Sequence, residues 1–283
     1  RLRASPRALR DDFELYHLLD HVESRHATPD ELALVHDPAY VTMVHELAAA
    51  GGGRLDADTV VSEGSWEAAT AGAGAVLDAI DLAFGDGPRR SFCAVRPPGH
   101  HALAGAGMGF CLFGNVALGA HYARRRHAVE RVLIVDWDVH HGNGTQAIVE
   151  GTADIHFVSM HQWPWYPGTG PADDRGPHGN VWNVPLAGGL SNGRYVTELL
   201  RAVDAATAGF TPDLVLISAG FDSLSGDPLG SFTLGMDDVD RLTREMLSRA
   251  VQWCGGRVVS SLEGGYVPDR LGEACIRHMR ALL

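Results

Sequence analysis

The stretch Val132-Leu133-Ile134-Val135-Asp136-Trp137-Asp138-Val139-His140-His141-Gly142-Asn143-Gly144 changes character halfway along. Branched apolar residues give way to two carboxylates, two imidazoles and a glycine-rich turn. The apolar half predicts a strand buried on both faces, as parallel sheets require. In open α/β sheets, ligands gather beyond the carboxyl ends of strands, so Asp136, Asp138, His140 and His141 are delivered where chemistry is expected. Residues two apart on extended backbone point the same way, which sets Asp138 beside His140. A carboxylate and an imidazole on one side make half of a zinc or manganese site.

Working outward, strand-like runs recur at Phe92 to Val95, Asp154 to Met160, Val181 to Val184, Leu214 to Ser218 and Arg257 to Leu262. Helical patterns fill much of the rest. Thr28-Pro29-Asp30-Glu31 reads as a capping box with proline at the first helical position, and Asp37-Pro38 repeats the start signal. The pattern from Asp11 to Leu47 is helical, and Ala50 to Asp58 is a glycine- and aspartate-rich loop. Ser65 to Ala83 and the segment from Asn115 are helices. Arg124-Arg125-Arg126 is the solvated end of the latter, where positive charge suits the helix dipole. Apolar stripes at Val196, Leu199, Leu200, Val203 and at Val239, Leu242, Met246, Trp253 mark two more helices. Ala71-Gly-Ala-Gly-Ala75 fits close helix packing and not a dinucleotide fingerprint. His36 and His45 read as packing or surface residues. Strands alternating with helices predict a single-domain open parallel sheet with helices on both faces, residues 1–283 forming one domain.

The 283 residues carry 45% apolar and 20% charged side chains, an ordinary soluble composition. The net charge of −12 argues against a nucleic-acid partner, and all 23 basic residues are arginine. The acidic surface either draws cationic substrates or serves solubility. No apolar run is long enough to span a bilayer, so no membrane association is expected. Cys93, Cys111, Cys254 and Cys275 form no CxxC pair, which fits buried thiols and a cytoplasmic setting.

Four strand ends carry unusual residues: Pro-Pro-Gly-His100-His101, Asp136-Trp-Asp138-Val-His140-His141, Ser218-Ala-Gly-Phe-Asp222 and Glu263-Gly-Gly-Tyr266. Singly each has a bland reading as a polar loop, a helix cap or a turn. Together, Asp138, His140 and Asp222 supply the three protein ligands of a catalytic zinc, which keeps one position open for water. Water bound there falls in pKa from ~15.7 toward ~7. His100 and His101 would manage protons, and the glycines before Tyr266 would let its hydroxyl approach a developing oxyanion.

These motifs, with Gly109-Phe110-Cys111 and Tyr166-Pro-Gly-Thr-Gly170, resemble the histone deacetylase/acetylpolyamine amidohydrolase family, which has the arginase–deacetylase α/β fold. The resemblance implies one zinc held by Asp138, His140 and Asp222. It implies His101 as general base then acid, His100 as electrostatic partner and Tyr266 as oxyanion donor. Asp136 would buttress His100 and Asn143 would buttress His101. Gly109 and Phe110, with Tyr166 opposite, would wall an acyl-lysine tunnel. A structural potassium ion would involve Asp136, Asp138, His140, Ser159 and Met160. Asn143, where some members have Asp, is similar to the class II branch. The family's opening H-P-E-x-P motif is absent, and Arg1-Leu2 look like its tail, so the N-terminus is expected to be truncated.

The implied activity is removal of an acyl group from an N-acyl amine, either acyl-lysine in a protein or peptide, an acylated polyamine or a small acylated amine. Two rivals are a binuclear manganese ureohydrolase of the same fold and a non-catalytic acyl-lysine binding module. Gly142 and Leu224 occupy the positions where the ureohydrolase needs further metal ligands, so one metal is expected. The rim is expected at Val61 to Ser65, His161 to Arg175 and Leu224 to Leu234, with Glu63 a candidate substrate contact and Trp163 and Trp165 either narrowing the entrance or packing within their loop.

Overall fold

The computed structural model describes residues 4–283. Arg1 and Leu2, expected to be the tail of a missing motif, lie outside the described residues. The central strand β4 (Val132–Asp136) is buried along its whole length, as the apolar run predicts. On one side lie β5 (Ile155–Gln162) and β6 (Val181–Leu186); on the other lie β7 (Leu214–Ala219), β8 (Val258–Leu262) and the edge strand β3 (Arg90–Cys93). The order is β3-β8-β7-β4-β5-β6 and every pairing is parallel.

Residue alternation on β4 divides the core. Val132 and Ile134 join one apolar cluster with α4 (Pro38–Ala49), α5 (Ser65–Phe84) and α6 (Asn115–His127). Leu133 and Val135 join a second with α8 (Asn192–Ala206), α9 (Met236–Cys254) and α10 (Pro268–Leu282). The chain leaves β4 toward β5 and later returns on the opposite side as β7. The crevice at the carboxyl ends of β4 and β7 is therefore the topological switch point of the sheet, the usual ligand position in this architecture. The short helices α1 (Ala4–Asp11), α2 (Phe13–Leu18), α3 (Pro29–Leu32) and α7 (Asn143–Val149) complete the chain. Among the described residues, no helix is long and apolar enough to cross a membrane.

Local signals act largely as expected. Thr28 and Glu31 form the capping box of α3, and Asp37 caps α4 through Ala39 N. Two expectations are corrected. The helical pattern from Asp11 to Leu47 is interrupted at residues 19–28, which cross α5 instead. Arg25 is ion-paired to Asp78 and Glu31, and Ala27 N donates to Thr70 O. The loop expected at Ala50 to Asp58 contains the first strand of an antiparallel hairpin, β1 (Gly52–Arg54) with β2 (Val60–Ser62).

The crossing at residues 24–27 explains one of the two glycines in the Ala-Gly repeat of α5. A Cβ on Gly74 would collide with the Arg25 carbonyl oxygen, whereas one on Gly72 would sit 3.5 Å from Val95 Cβ, an ordinary contact. Gly72→Ala should stabilise by about 0.5–1 kcal/mol through helix propensity. Gly74→Ala should destabilise by about 1–3 kcal/mol through overpacking. Urea denaturation midpoints check both, and a Gly74→Ala protein as stable as wild type would refute the packing argument.

His278 lies fully buried on α10, with Nδ1 2.7 Å from Thr243 Oγ1 and Nε2 2.8 Å from Ser260 Oγ. Burial pushes its pKa down to about 3. The unfolded ring protonates near pH ~6.5 while the folded one resists, so its stabilising contribution is complete above that pH and lost on acidification toward the folded value. Removing this group should flatten the acid limb of the stability–pH profile. His278→Gln is expected to reduce the slope by about 1.4 kcal/mol per pH unit between pH ~6 and ~4, and an unchanged slope by denaturant titration would exclude the assignment.

Candidate active site

Strand β4 ends at Asp136, so Asp138 and His140 stand on a bend beyond the sheet and not on extended backbone. Hydrogen bonds supply the alignment that strand alternation was expected to give. Asp138 N donates to Asp136 Oδ1 at 3.0 Å, and His140 N donates to Asp138 Oδ1 at 2.9 Å. Asp222, three residues beyond β7, accepts from Val139 N at 2.9 Å through Oδ1. Asp138, His140 and Asp222 thereby bring one ligand atom each within 4.8 Å of one another, all buried.

The donor set fits a divalent cation. Asp138 Oδ2 accepts from Gly264 N at 2.8 Å, but Asp222 Oδ2 is buried and has no hydrogen-bond partner. His140 Nδ1 lies 2.9 Å from Asp138 Oδ1 and 3.3 Å from Asp222 Oδ2. Burial opposes charge on His140, yet Asp138 and Asp222 overcome it and raise the pKa to about 10. Burial and repulsion from Asp138 push Asp222 up to about 6. Two acids and one imidazole thus compete to gather positive charge at one point. Glycines leave the space: a Cβ on Gly264 or Gly220 would strike these carboxylates. A Cβ on Gly142 would strike Asp136 Oδ2, and Leu224 is apolar and buried, so neither offers a further ligand. Among the described residues this is the one such group.

Two more imidazoles flank it. His100 and His101 have ring centroids 4.0 Å apart. His100 Nδ1 lies 2.9 Å from Asp136 Oδ2, and His101 Nδ1 lies 2.7 Å from Asn143 Oδ1. Burial disfavours charge on both rings, but Asp136 and Asp138 raise His100 to about 10. His101 is held well below the usual range by burial and by the charges of His100 and His140, an amide being no counter-ion.

Tyr166, Gly109 and Phe110 gather around these rings. Tyr166 sits edge-on to His101 and His140, at centroid distances of 5.2 and 6.0 Å. Gly109 packs so closely on His101 that a Cβ would strike the ring. Phe110 faces Tyr266 at 5.9 Å. Phe110 holds a left-handed φ of 66°, costly for a bulky residue, and its amide is held by Thr59 Oγ1 at 3.0 Å. Glu63 is exposed, and the Gly109-Phe110 segment is held by Asp58 and Thr59. Ser159 and Met160 are fully buried on β5, with Ser159 in register with Asp136. Of the rim segments, Val61 and His161 are buried, while Trp165 is exposed and donates Nε1 to Leu229 O at 2.8 Å.

Two residues that stand in the quoted motifs, Glu263 and His141, receive no role from sequence. Glu263, fully buried, accepts from Gly99 N at 2.7 Å and His100 N at 3.2 Å through Oε2, and from Ser218 Oγ at 3.1 Å through Oε1. It clamps the Pro-Pro-Gly-His-His loop to the sheet. His141 bridges Thr169 Oγ1 at 2.8 Å and Gln146 Oε1 at 2.9 Å, tying the Tyr166 loop to α7. Their position in the quoted motifs was the available signal; their partners are remote in sequence.

Comparison with known proteins gives a consistent picture. The histone deacetylase domain family matches residues 1–282. A histone deacetylase-like amidohydrolase of Pseudomonas aeruginosa is 39% identical over 245 residues, 85% of this chain and 64% of that protein. The polyamine deacetylase HDAC10 of Homo sapiens is 36% identical over 277 residues, 93% of this chain and 41% of that protein. The crystal structure of the HDA15 HD domain superposes with a TM-score of 0.94 at 36% identity, covering all of this chain and 80% of the other. This chain therefore spans less than two thirds of the Pseudomonas and human relatives.

The geometry predicts one divalent ion per chain. Wild type loaded with zinc and freed of excess should retain one equivalent by mass spectrometry of the metal. Asp222→Ala and Asp138→Ala should retain under about a tenth of that with unchanged circular dichroism, since catalytic sites rely on all three protein ligands. Stoichiometric zinc in either variant would remove that residue from the ligand set.

Proposed function

The chain belongs to the histone deacetylase family; from that premise we propose that it is an amidohydrolase removing acyl groups from amines, that Asp138, His140 and Asp222 hold one zinc ion, and that residues 1–283 act as one catalytic domain. The observation that carries the reading is the buried acid–imidazole group at the switch point, with Asp222 Oδ2 orphaned and two further imidazoles beside it. When bound, zinc supplies Lewis acidity, polarising the acyl carbonyl and acidifying water toward neutral pH.

The chain's own groups divide the remaining work. With Nδ1–H of His101 donated to Asn143 Oδ1, its Nε2 is the free base that takes a proton from the attacking water and returns it to the departing amine. His100, paired to Asp136, carries positive charge beside the developing negative charge. The Tyr266 hydroxyl donates to the acyl oxygen as that charge grows. Gly109, Phe110 and Tyr166 hold the alkyl stem and exclude water, with exposed Glu63 meeting either a substrate backbone amide or a polyamine ammonium. A potassium ion is assigned to Asp136, Asp138, His140, Ser159 and Met160, supported by the burial of Ser159 and Met160 beside Asp136. The substrate is an acyl-lysine of a protein or peptide, an acylated polyamine or another small acylated amine.

Zinc-loaded protein should turn over a fluorogenic acetyl-lysine amide and lose that activity to a chelator. Tyr266→Phe should lower kcat by roughly 10²–10³ with zinc retained, the range for losing one oxyanion donor. His101→Ala should fall comparably. Substrate binding without turnover by the zinc-loaded wild type would favour a binding module instead.

A further inference from the structure

Asp227 takes no part in the chemistry assigned to the site, yet it is 7% exposed and both its oxygens are engaged by backbone amides. Oδ2 accepts from Tyr266 N at 2.7 Å and Oδ1 from Leu229 N at 3.0 Å. The first bond matters because of what precedes Tyr266. Glu263 N is anchored on Ala219 O at 3.1 Å, and Gly264 N on Asp138 Oδ2 at 2.8 Å. Gly265 then turns the chain at φ 117°, a conformation open to glycine and strained for other residues. A glycine pivot immediately before a side chain that must point one way needs a restraint on its far side. Asp227 supplies it, at the first amide beyond the pivot.

The post is itself fixed. The Asp227 loop is pinned to the opposite rim by Trp165 Nε1 donating to Leu229 O at 2.8 Å and by Ser231 N donating to Gln162 Oε1 at 2.7 Å. A continuous chain of hydrogen bonds therefore runs from the Trp165-Tyr166 wall through Leu229 and Asp227 to the Tyr266 peptide. We propose that Asp227 is a positioning residue that latches the Tyr266 peptide so that the phenol stays directed into the slot across from Phe110. This rests on the reading of Tyr266 as donor to the acyl oxygen. Asp227 touches no reacting atom; it acts through Tyr266.

The test is a double-mutant cycle in the zinc-loaded full chain, using the acetyl-lysine amide and following kcat, KM and zinc content. Asp227→Ala should lower kcat by about tenfold or more, with KM within about twofold and zinc unchanged, as expected for a contact expressed mainly in the transition state. Asp227→Asn should be intermediate, because its amide oxygen can serve one backbone N–H while its NH₂ opposes the other. It carries the test if the alanine variant does not fold. In a Tyr266→Phe background the Asp227 substitution should cost less than about threefold more, since residues acting as one unit are not additive. Equal fold-losses in both backgrounds, or a loss confined to KM, would overturn the latch alone. Wild-type turnover by Tyr266→Phe would overturn the role of Tyr266 and the latch with it.

Discussion

Four carboxyl groups without solvent exposure, Asp136, Asp138, Asp222 and Glu263, are gathered at the carboxyl end of one parallel sheet. Removing a charge from water costs several kcal/mol per ion even after relaxation, so such a cluster persists only where donors and cations answer it. The surrounding loops are shaped by that demand. Asp136 is met by Asp138 N and His100, Asp138 by His140 N and Gly264 N, and Glu263 by Gly99 N, His100 N and Ser218. Every loop leaving β3, β4 and β8 toward the site thus lends it a backbone amide. Of these acids' oxygens, Asp222 Oδ2 alone accepts no well-formed hydrogen bond, and it faces His140 Nδ1 at 3.3 Å within the candidate metal group.

This arrangement explains why glycines crowd the centre. Gly220, Gly264 and Gly142 lie where a Cβ would occupy the space of a carboxylate. Their role is close approach, so that backbone amides and acids meet directly. Side chains at these positions would push the acids apart, and the cluster would lose the donors that make its burial tolerable.

The parts of this design legible in the sequence are those with local signals. The apolar run before Asp136 and the Thr28-Glu31 capping box each carry their reason within a few residues. The hairpin of β1 and β2 was hidden because its strands are three residues long and one is glycine-rich. Residues 19–28 carry a helical pattern that is overridden by tertiary bonds to Asp78 and Thr70, about fifty residues away in sequence. The motifs expose the acids and imidazoles of the candidate metal group, but not the backbone partners of Glu263, Asp58 or Asp227. Those three act on backbone amides of Gly99, Gly109 and Tyr266, and no side-chain pattern advertises a partnership with a remote peptide bond.

The same electrostatics separates the tandem histidines. Rings with centroids 4.0 Å apart in a buried pocket cannot both carry charge cheaply. His100 holds the carboxylate of Asp136, whereas His101 holds only the amide of Asn143. An acid at residue 143 would narrow that difference by offering His101 a counter-ion of its own. With an amide there, the asymmetry is strong: His100 is drawn toward the charged form and His101 toward the neutral one. A dication at Asp138, His140 and Asp222 would disfavour charge on both rings while leaving Asp136 beside only one of them. The pair therefore keeps its order, with the His101 ring packed under Gly109 and edge-on to Tyr166.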